Sequence, residues 1–398
     1  MPLHLPLKTH WPVVFVSVLG GIVAALYVGK VPPALTLIRN DLGLNLVQSG
    51  YVISVFNLMG MTTAMLVGTF IDQMNRKKLI IASFILLSVG GMLGSLTDNL
   101  PLLLISRVVE GAGFISVAVA MPAVVIAAAA PQDRSLAISL WSVFTPTGMA
   151  TALVIFPYLA EGIGWQGVWQ VFAVLPLVAA IAVFLVFKQV KLPSRPSGNP
   201  FEIILQTLKT KGLWAIALSF GGYTLQWVSL MVWLPTFLIA DMGFEKNIAA
   251  VLTACIIAMN IPSNIMGGWL LRNGVAARYL VLIGSVSLGL SILGIFILPL
   301  NDMARVVCCF LFSLIGGLIP ACLFAYVPAY APSPNHMSTA SGMLMQGSTL
   351  GQFCGPPMLA YAVSLSDGAW SAAIYPMLMG TAFMALAGWY VTRKQEAV

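Results

Sequence analysis

Arg107 and Glu110 stand three residues apart in a largely apolar run that begins near Leu100. On a helix this spacing puts both on one face. In hydrocarbon such charges are costly unless they meet a partner or water. Two chemistries suit the pair: Arg107 binding an anionic solute, and Glu110 carrying a proton between two environments. Burial disfavours the carboxylate and a neighbouring guanidinium favours it, so a movement that changes the distance between them would move the proton. A permanent ion pair that neutralises itself is the other account. Lys30 follows in Tyr27-Val-Gly-Lys30-Val-Pro-Pro33, near the outer end of an earlier apolar run. It either lines a cavity with Arg107 or snorkels to the interface. Lys30 and Arg107 against Glu110 leave a formal charge of +1, which favours a small anion, a carboxylate, over a cation.

Further polar side chains punctuate the apolar runs: Asn57, Trp141, Thr145, Tyr223, Gln226, Asn260, Asn264, Gln346 and Gln352. Each is a candidate solute contact or a helix–helix hydrogen bond. Tyr223 and Gln226 share a helix face. The three histidines, His4, His10 and His336, lie in the tail and a loop, and the five cysteines show no C-x-x-C spacing. Metal hydrolysis and P-loop chemistry have no residues to run on. No cofactor is expected, and the chain is not expected to be an enzyme.

The elements that must position these residues follow from composition. Of 398 residues, 59% are hydrophobic and 8% charged. A soluble surface carries about 25% charged residues, so a soluble enzyme or nucleic-acid reader is excluded. A span needs about 20 apolar residues. Twelve such stretches can be drawn: 11–37, 46–70, 78–97, 101–129, 136–160 and 166–187, then 212–239, 245–271, 277–299, 303–330, 337–365 and 369–392. The expected fold is all-α and polytopic, with residues 1–187 and 212–398 as two six-helix bundles. Residues 188–211 form a polar linker in which FEIILQTLK has the pattern of a surface helix. The first run continues to Tyr27 and lacks a clear cleavage site, so it reads as an uncleaved span. With the N-terminus inside, the cytoplasmic side holds 14 of the 19 Lys and Arg, including all five of the linker. The positive-inside rule then puts both termini in the cytoplasm. The net charge of +7 sits against anionic lipid rather than nucleic acid.

The loop after the second run reads Gly68-Thr-Phe-Ile-Asp72-Gln-Met-Asn75-Arg76-Lys77-Lys78, and Gly268 opens a second glycine-then-charge loop 200 positions later. The first loop resembles G-x-x-x-D-x-x-G-[RK]-[RK], a signature of the major facilitator superfamily. Asn75 replaces the second glycine and is expected to tolerate a left-handed turn. Arg107-Val-Val-Glu110-Gly111-Ala-Gly113 resembles the family's R-x-x-x-G-x-G, where the glycines serve close helix packing. The resemblance implies twelve helices in two pseudo-symmetric bundles and alternating access to a site between them. It also implies a monomer in a bacterial-type inner membrane, and a cytoplasmic latch in which Gly68, Asp72, Arg76 and Lys77 act as gating residues. Arg272, at the acidic position of the second loop, cannot repeat that latch. Trp141-Ser-Val-Phe-Thr145-Pro146-Thr147-Gly148 departs from the family's drug-antiporter signature. Leu140-Trp141-Ser142 and Trp233-Leu234-Pro235 resemble the cyanate-permease-like branch, whose substrates are small anions. The expected function is proton-coupled movement of a small organic anion, with drug or metabolite efflux as the alternative.

Overall fold

The computed structural model describes residues 8–71, 75–187 and 199–394. Asp72 and most of the linker lie outside the described residues. Among those described there are helices and turns but no strand, and the helices make twelve spans. In the first half, span 1 is Trp11–Gly29 with Val31–Leu42, and span 2 is Leu46–Ser54, a 3₁₀ turn Val55–Asn57, and Leu58–Ile71. Span 3 is Arg76–Ser95 and span 4 is Leu100–Ala128. Span 5 starts with Arg134–Ser142 and continues from Phe144, and span 6 ends at Val186. Gly164, with φ 66° and ψ 176°, breaks the helical path between spans 5 and 6. In the second half, span 7 is Lys211–Ala240, span 8 is Lys246–Ala258 with Asn260–Arg272, and span 9 is Ala277–Phe296. Span 10 is Asp302–Gly316 with Leu318–Tyr330, span 11 is Met337–Leu365, and span 12 is Ile374–Lys394.

Four of these spans lapse four residues before a proline. Span 1 stops at Gly29 before Pro33, span 5 at Ser142 before Pro146, span 8 at Ala258 before Pro262, and span 10 at Gly316 before Pro320. Proline has no N–H to give the carbonyl four residues back, and its ring crowds that carbonyl. The lapse in span 2 has no proline. There the Phe56 carbonyl lies so close to Gly111 of span 4 that a Cβ at Gly111 would overlap it.

The halves repeat one another. Spans 1 and 5 pack together as 7 and 11 do, 3 and 4 as 9 and 10 do, and 3 and 6 as 9 and 12 do. Asp41-Leu-Gly43 at the end of span 1 recurs as Asp241-Met-Gly243 at the end of span 7, 200 positions on. Both glycines turn in the left-handed region, φ 64° and 70°, which costs glycine nothing. Each aspartate braces its half at the same end: Asp41 accepts from Trp165 Nε1 at 2.7 Å, and Asp241 pairs with Arg305 at 2.7 Å.

The halves meet along spans 2 and 11 and along spans 5 and 8. The first seam is closed at both ends. Gly50 lies against Pro357, and at the opposite end Gly68 faces the Ser338 carbonyl while Thr69 and Thr339 hydroxyls lie 3.0 Å apart. The second seam is packed between span 5 and Lys246–Ala258 and sparser along Asn260–Arg272. On that stretch a Cβ at Gly268 would meet no atom within 4 Å. A cavity of about 20 Å³ remains in the packed part of the seam, lined by Pro32, Pro33, Thr36, Pro157, Pro235 and Lys246 among others. The linker helix Pro200–Leu208 rests against spans 2, 7 and 11. It turns Ile203 and Thr207 inward and Phe201 and Leu205 outward. His336 Nε2 and Gln206 Oε1, 2.8 Å apart, tie it to the loop before span 11.

Candidate functional site

Lys30, Arg107 and Glu110 come together inside the first half, each with at most 1% of its surface exposed. Lys30 Nζ donates to Glu110 Oε1 at 2.6 Å, and Arg107 Nη1 donates to Glu110 Oε2. Arg107 also donates to the Tyr27 carbonyl at 3.1 Å and, through Nε, to the Val52 carbonyl at 3.2 Å. Aromatic faces complete the enclosure: Lys30 Nζ lies 3.7 Å from the Trp169 ring centre and 4.2 Å from that of Tyr27, and Arg107 stacks over Phe56 at 4.5 Å. Ring faces attract cations where water is excluded. Five spans build the cluster: span 1 brings Lys30 and Tyr27, span 2 Phe56 and Val52, span 4 Arg107 and Glu110, and span 6 Trp169. Span 3 contributes glycine, its Gly90 leaving room for the Glu110 side chain.

The expected proximity of Arg107, Glu110 and Lys30 is therefore present, but its setting differs from the expected funnel. In this conformation both cations are enclosed within one bundle, and Lys30 neither snorkels nor faces water. The reason is that Glu110 can be shared. One carboxylate offers two oxygens, and the two cations approach it from adjoining helices. Trp169 and Tyr27 escaped sequence reading, because nothing in a lone aromatic residue says which cation it will cover.

The second half holds a polar cluster without charge. Asn260, at the lapse in span 8, donates to Tyr223 Oη at 3.2 Å and to the Ser313 carbonyl at 3.1 Å. Asn264 donates to Asn260 Oδ1 at 2.7 Å. Tyr223 is stacked between Phe220 and Trp227, and Phe324 meets Phe220 edge-on. Ser263 Oγ, Ser313 Oγ and Trp227 Nε1 are buried here without a hydrogen-bond partner. Ser263 and Ser313 were not singled out by sequence. Their signal is the four-residue offset from Pro262 and Pro320, which places both lapses at this point.

The other candidates divide. Gln226 points away from Tyr223: its Oε1 accepts from Thr381 of span 12 at 2.8 Å, a contact inside the second half. Gln346 joins the halves, accepting from the Met65 backbone at 3.4 Å. Gln352 donates to Ser348 at 3.1 Å along its own helix. Asn57 sits in the 3₁₀ turn of span 2, buried, with Oδ1 unpartnered. Trp141 stacks on Phe144 with ring centres 4.4 Å apart and lies against Gly21 of span 1, and Thr145 beside it is half-buried. Gly111 and Gly113 pack against the Phe56 and Ser83 carbonyls, the close approach expected of them.

Around the first loop, Gly68 lies at the seam between halves, whereas Asp72 is outside the described residues. Arg76 starts span 3 and is half-buried. Lys77 reaches the Phe184 carbonyl of span 6 at 2.7 Å, within its own half. Asn75 does not take the left-handed turn expected of it. Its φ is −70°, and its side chain caps span 3 by accepting from Lys78 N at 3.2 Å. A short amide side chain can satisfy an orphan helix N–H in this way, which glycine cannot.

Comparison with known proteins agrees with this architecture. Among solved structures, a bacterial homologue of the human lysosomal transporter Spinster, inward-facing and unoccupied, superposes with a TM-score of 0.72. That match has 16% identity and covers 97% of this chain and 96% of the other. The 3-(3-hydroxy-phenyl)propionate transporter of Escherichia coli K12 is 28% identical over 54% of this chain and 53% of its own length. The putative niacin/nicotinamide transporter NiaP of Bacillus subtilis 168 is 24% identical over 65% of each. A purine ribonucleoside efflux pump, NepI, of Shigella dysenteriae is 25% identical over 54% and 55%. The chain thus spans half to two thirds of the length of these curated relatives. The model of the Major Facilitator Superfamily matches residues 15–356, and with twelve spans in two repeated halves the chain belongs to that superfamily of transporters.

Proposed function

We propose that the chain carries a small organic anion across the inner membrane by alternating access, with a proton as coupling ion. The observation that carries this reading is the Lys30–Arg107–Glu110 cluster. An ionisable triad kept in hydrocarbon is costly to maintain, and its formal excess of one positive charge projects a field that favours an anion over a cation on a path between the halves. Two of the relatives named above are a 3-(3-hydroxy-phenyl)propionate transporter and a putative niacin/nicotinamide transporter; the phenylpropionate and niacin are carboxylates at neutral pH, while nicotinamide is uncharged. In this reading Lys30 and Arg107 attract the solute and Glu110 holds the proton site together. Asn57, Trp141, Thr145, Tyr223, Asn260 and Asn264 supply its hydrogen bonds and ring contacts. Gln226 and Gln346 position spans 7 and 11. Gly68, Asp72, Arg76 and Lys77 belong to the cytoplasmic gate. Residues 1–187 and 212–398 act as the two bodies of a monomer, joined by 188–211, with both termini in the cytoplasm.

A second reading is efflux of an amphipathic metabolite. It is favoured by the uncharged aromatic stack Phe324–Phe220–Tyr223–Trp227 and by the likeness to a nucleoside efflux pump. Purified protein in liposomes separates the two. Labelled niacin, 3-(3-hydroxyphenyl)propionate and a purine ribonucleoside are offered with a pH gradient imposed and then collapsed. Gradient-driven uptake of an acid, abolished in Glu110→Gln, is the expected result. Movement of the nucleoside alone would favour efflux. Uptake of an acid that ignores both the gradient and Glu110→Gln would refute the coupling.

A further inference from the structure

We propose that the group in this cluster that releases and regains the proton is Lys30, with Glu110 staying ionised throughout. The proposal rests on the carrier reading above for its functional meaning, and on geometry for its assignment. With all three side chains ionised, the enclosed cluster carries one uncompensated positive charge. Protonating Glu110 would raise that to two, at side chains with at most 1% of their surface exposed. Arg107 does not lose its proton in proteins. Among the three charged side chains, loss of a proton from Lys30 is the one event that brings the buried charge to zero, and it does so without creating a second buried anion. The charged and titratable groups facing Lys30 are Glu110 and Arg107 from span 4 and Tyr27 from its own span. Span 6 presents the Trp169 ring, and span 3 presents Gly90 and Gly91 to this region.

Both protonation states have a structural basis. Charged Lys30 is held by Glu110 at 2.6 Å and by two ring faces. Neutral Lys30 still donates one N–H to Glu110 and leaves the Arg107–Glu110 pair balanced. In the step itself an N–H bond of the ammonium breaks, its electron pair stays on Nζ, and the proton passes to a water molecule. Access for that water is built into span 1. Lys30 is the single residue between Trp11–Gly29 and Val31–Leu42, and Pro32 and Pro33 deprive the Val28 and Gly29 carbonyls of partners. The same two prolines line the seam cavity. Parting that seam bends span 1 at Lys30, while Glu110 stays fixed on unbroken span 4. The ammonium is then drawn from its carboxylate toward the outside.

Trp169 supplies a probe that needs no substrate, because an indole under an ammonium emits differently from one under an amine. The full-length protein is purified, and tryptophan emission is followed from mild acid to mild alkali. The Trp169 contribution is taken as the difference from Trp169→Phe. A reversible titration is expected. It should vanish in Lys30→Arg, frozen at the acid plateau, and in Lys30→Met, frozen at the alkaline one. Lys30→Met leaves a neutral ion pair and is expected to fold, and Lys30→Arg guards against its failing to do so. A flat Trp169 signal, or a titration that persists in both variants, would overturn the assignment. In liposomes, uptake by Lys30→Met should no longer respond to the pH gradient. If the Trp169 signal titrates through Lys30 but no acid is driven by the gradient, the carrier reading fails and the protonation assignment stands.

Discussion

Glu110 is the residue on which the first half depends electrically. It is the one carboxylate for two buried cations, so removing its charge leaves both uncompensated. Breaking a buried ion pair from one side costs about 3–5 kcal/mol. Glu110→Gln is therefore expected to lower the melting temperature in detergent, whereas Lys30→Met is expected to hold or raise it. Thermal melts of the two variants check this ordering. In a double-mutant cycle the two substitutions should be strongly non-additive, since Lys30→Met removes one of the charges that Glu110→Gln exposes. Equal losses that simply add would mean that packing, and not charge, holds the site. Glycine beside the carboxylate matters for a steric reason: a Cβ at Gly90 would lie 2.6 Å from Glu110 Cγ.

Helices are the scale at which bending is decided. Four spans stop four residues before a proline, and each lapse lies at or near a candidate residue: Lys30, Trp141, Asn260, and the Ser313 carbonyl that Asn260 binds. Discontinuous spans supply unpaired backbone and hinges at transporter sites. Restoring the missing N–H should stiffen the joint. Pro320→Ala is expected to leave the protein folded and as stable, and to slow turnover severalfold, measured as initial uptake rate at saturating solute. An unchanged rate would show that the lapse in span 10 does not flex in the cycle. Gly68 and Gly268 offer a paired test at the seams. Gly68→Val should force spans 2 and 11 apart at the Thr69–Thr339 end, where the Ser338 carbonyl leaves no space, and so reduce transport sharply. Gly268→Val, facing open space, should be nearly silent. Uptake by the two variants at matched membrane abundance decides it.

At the scale of the whole molecule, two repeated halves meet along two seams that are not equivalent. Spans 2 and 11 close from Gly50–Pro357 to Thr69–Thr339, whereas span 5 is packed against Lys246–Ala258 of span 8 and only sparsely against Asn260–Arg272. The loop sequences anticipate this asymmetry, because Arg272 stands where the first half has Asp72. The charge arrangement predicts orientation as well. Reporter fusions at both ends should read as cytoplasmic, and an external reading at either end would reverse the positive-inside assignment.

Much of this could be read from the chain alone. Twelve spans, their boundaries to within a few residues, the repeat and the linker helix all follow from local quantities. Hydrocarbon thickness fixes span length, backbone hydrogen bonding forces helices, and proline removes one bond at a known offset. The pairing of Arg107 with Glu110 was legible for the same reason, since three residues on a helix is a local distance. Which way those side chains faced was not. Whether Lys30 lies at the interface, in a cleft or inside a bundle depends on the rotation of spans 1, 4 and 6 about their axes. That rotation is set by glycine contacts between helices far apart in sequence. Only the tertiary structure decided that Trp169 covers Lys30, that Gln226 turns to Thr381, and that one carboxylate serves two cations. A helix that is apolar nearly all round gives no stripe from which to read its inward face, so packing, and not periodicity, makes that choice.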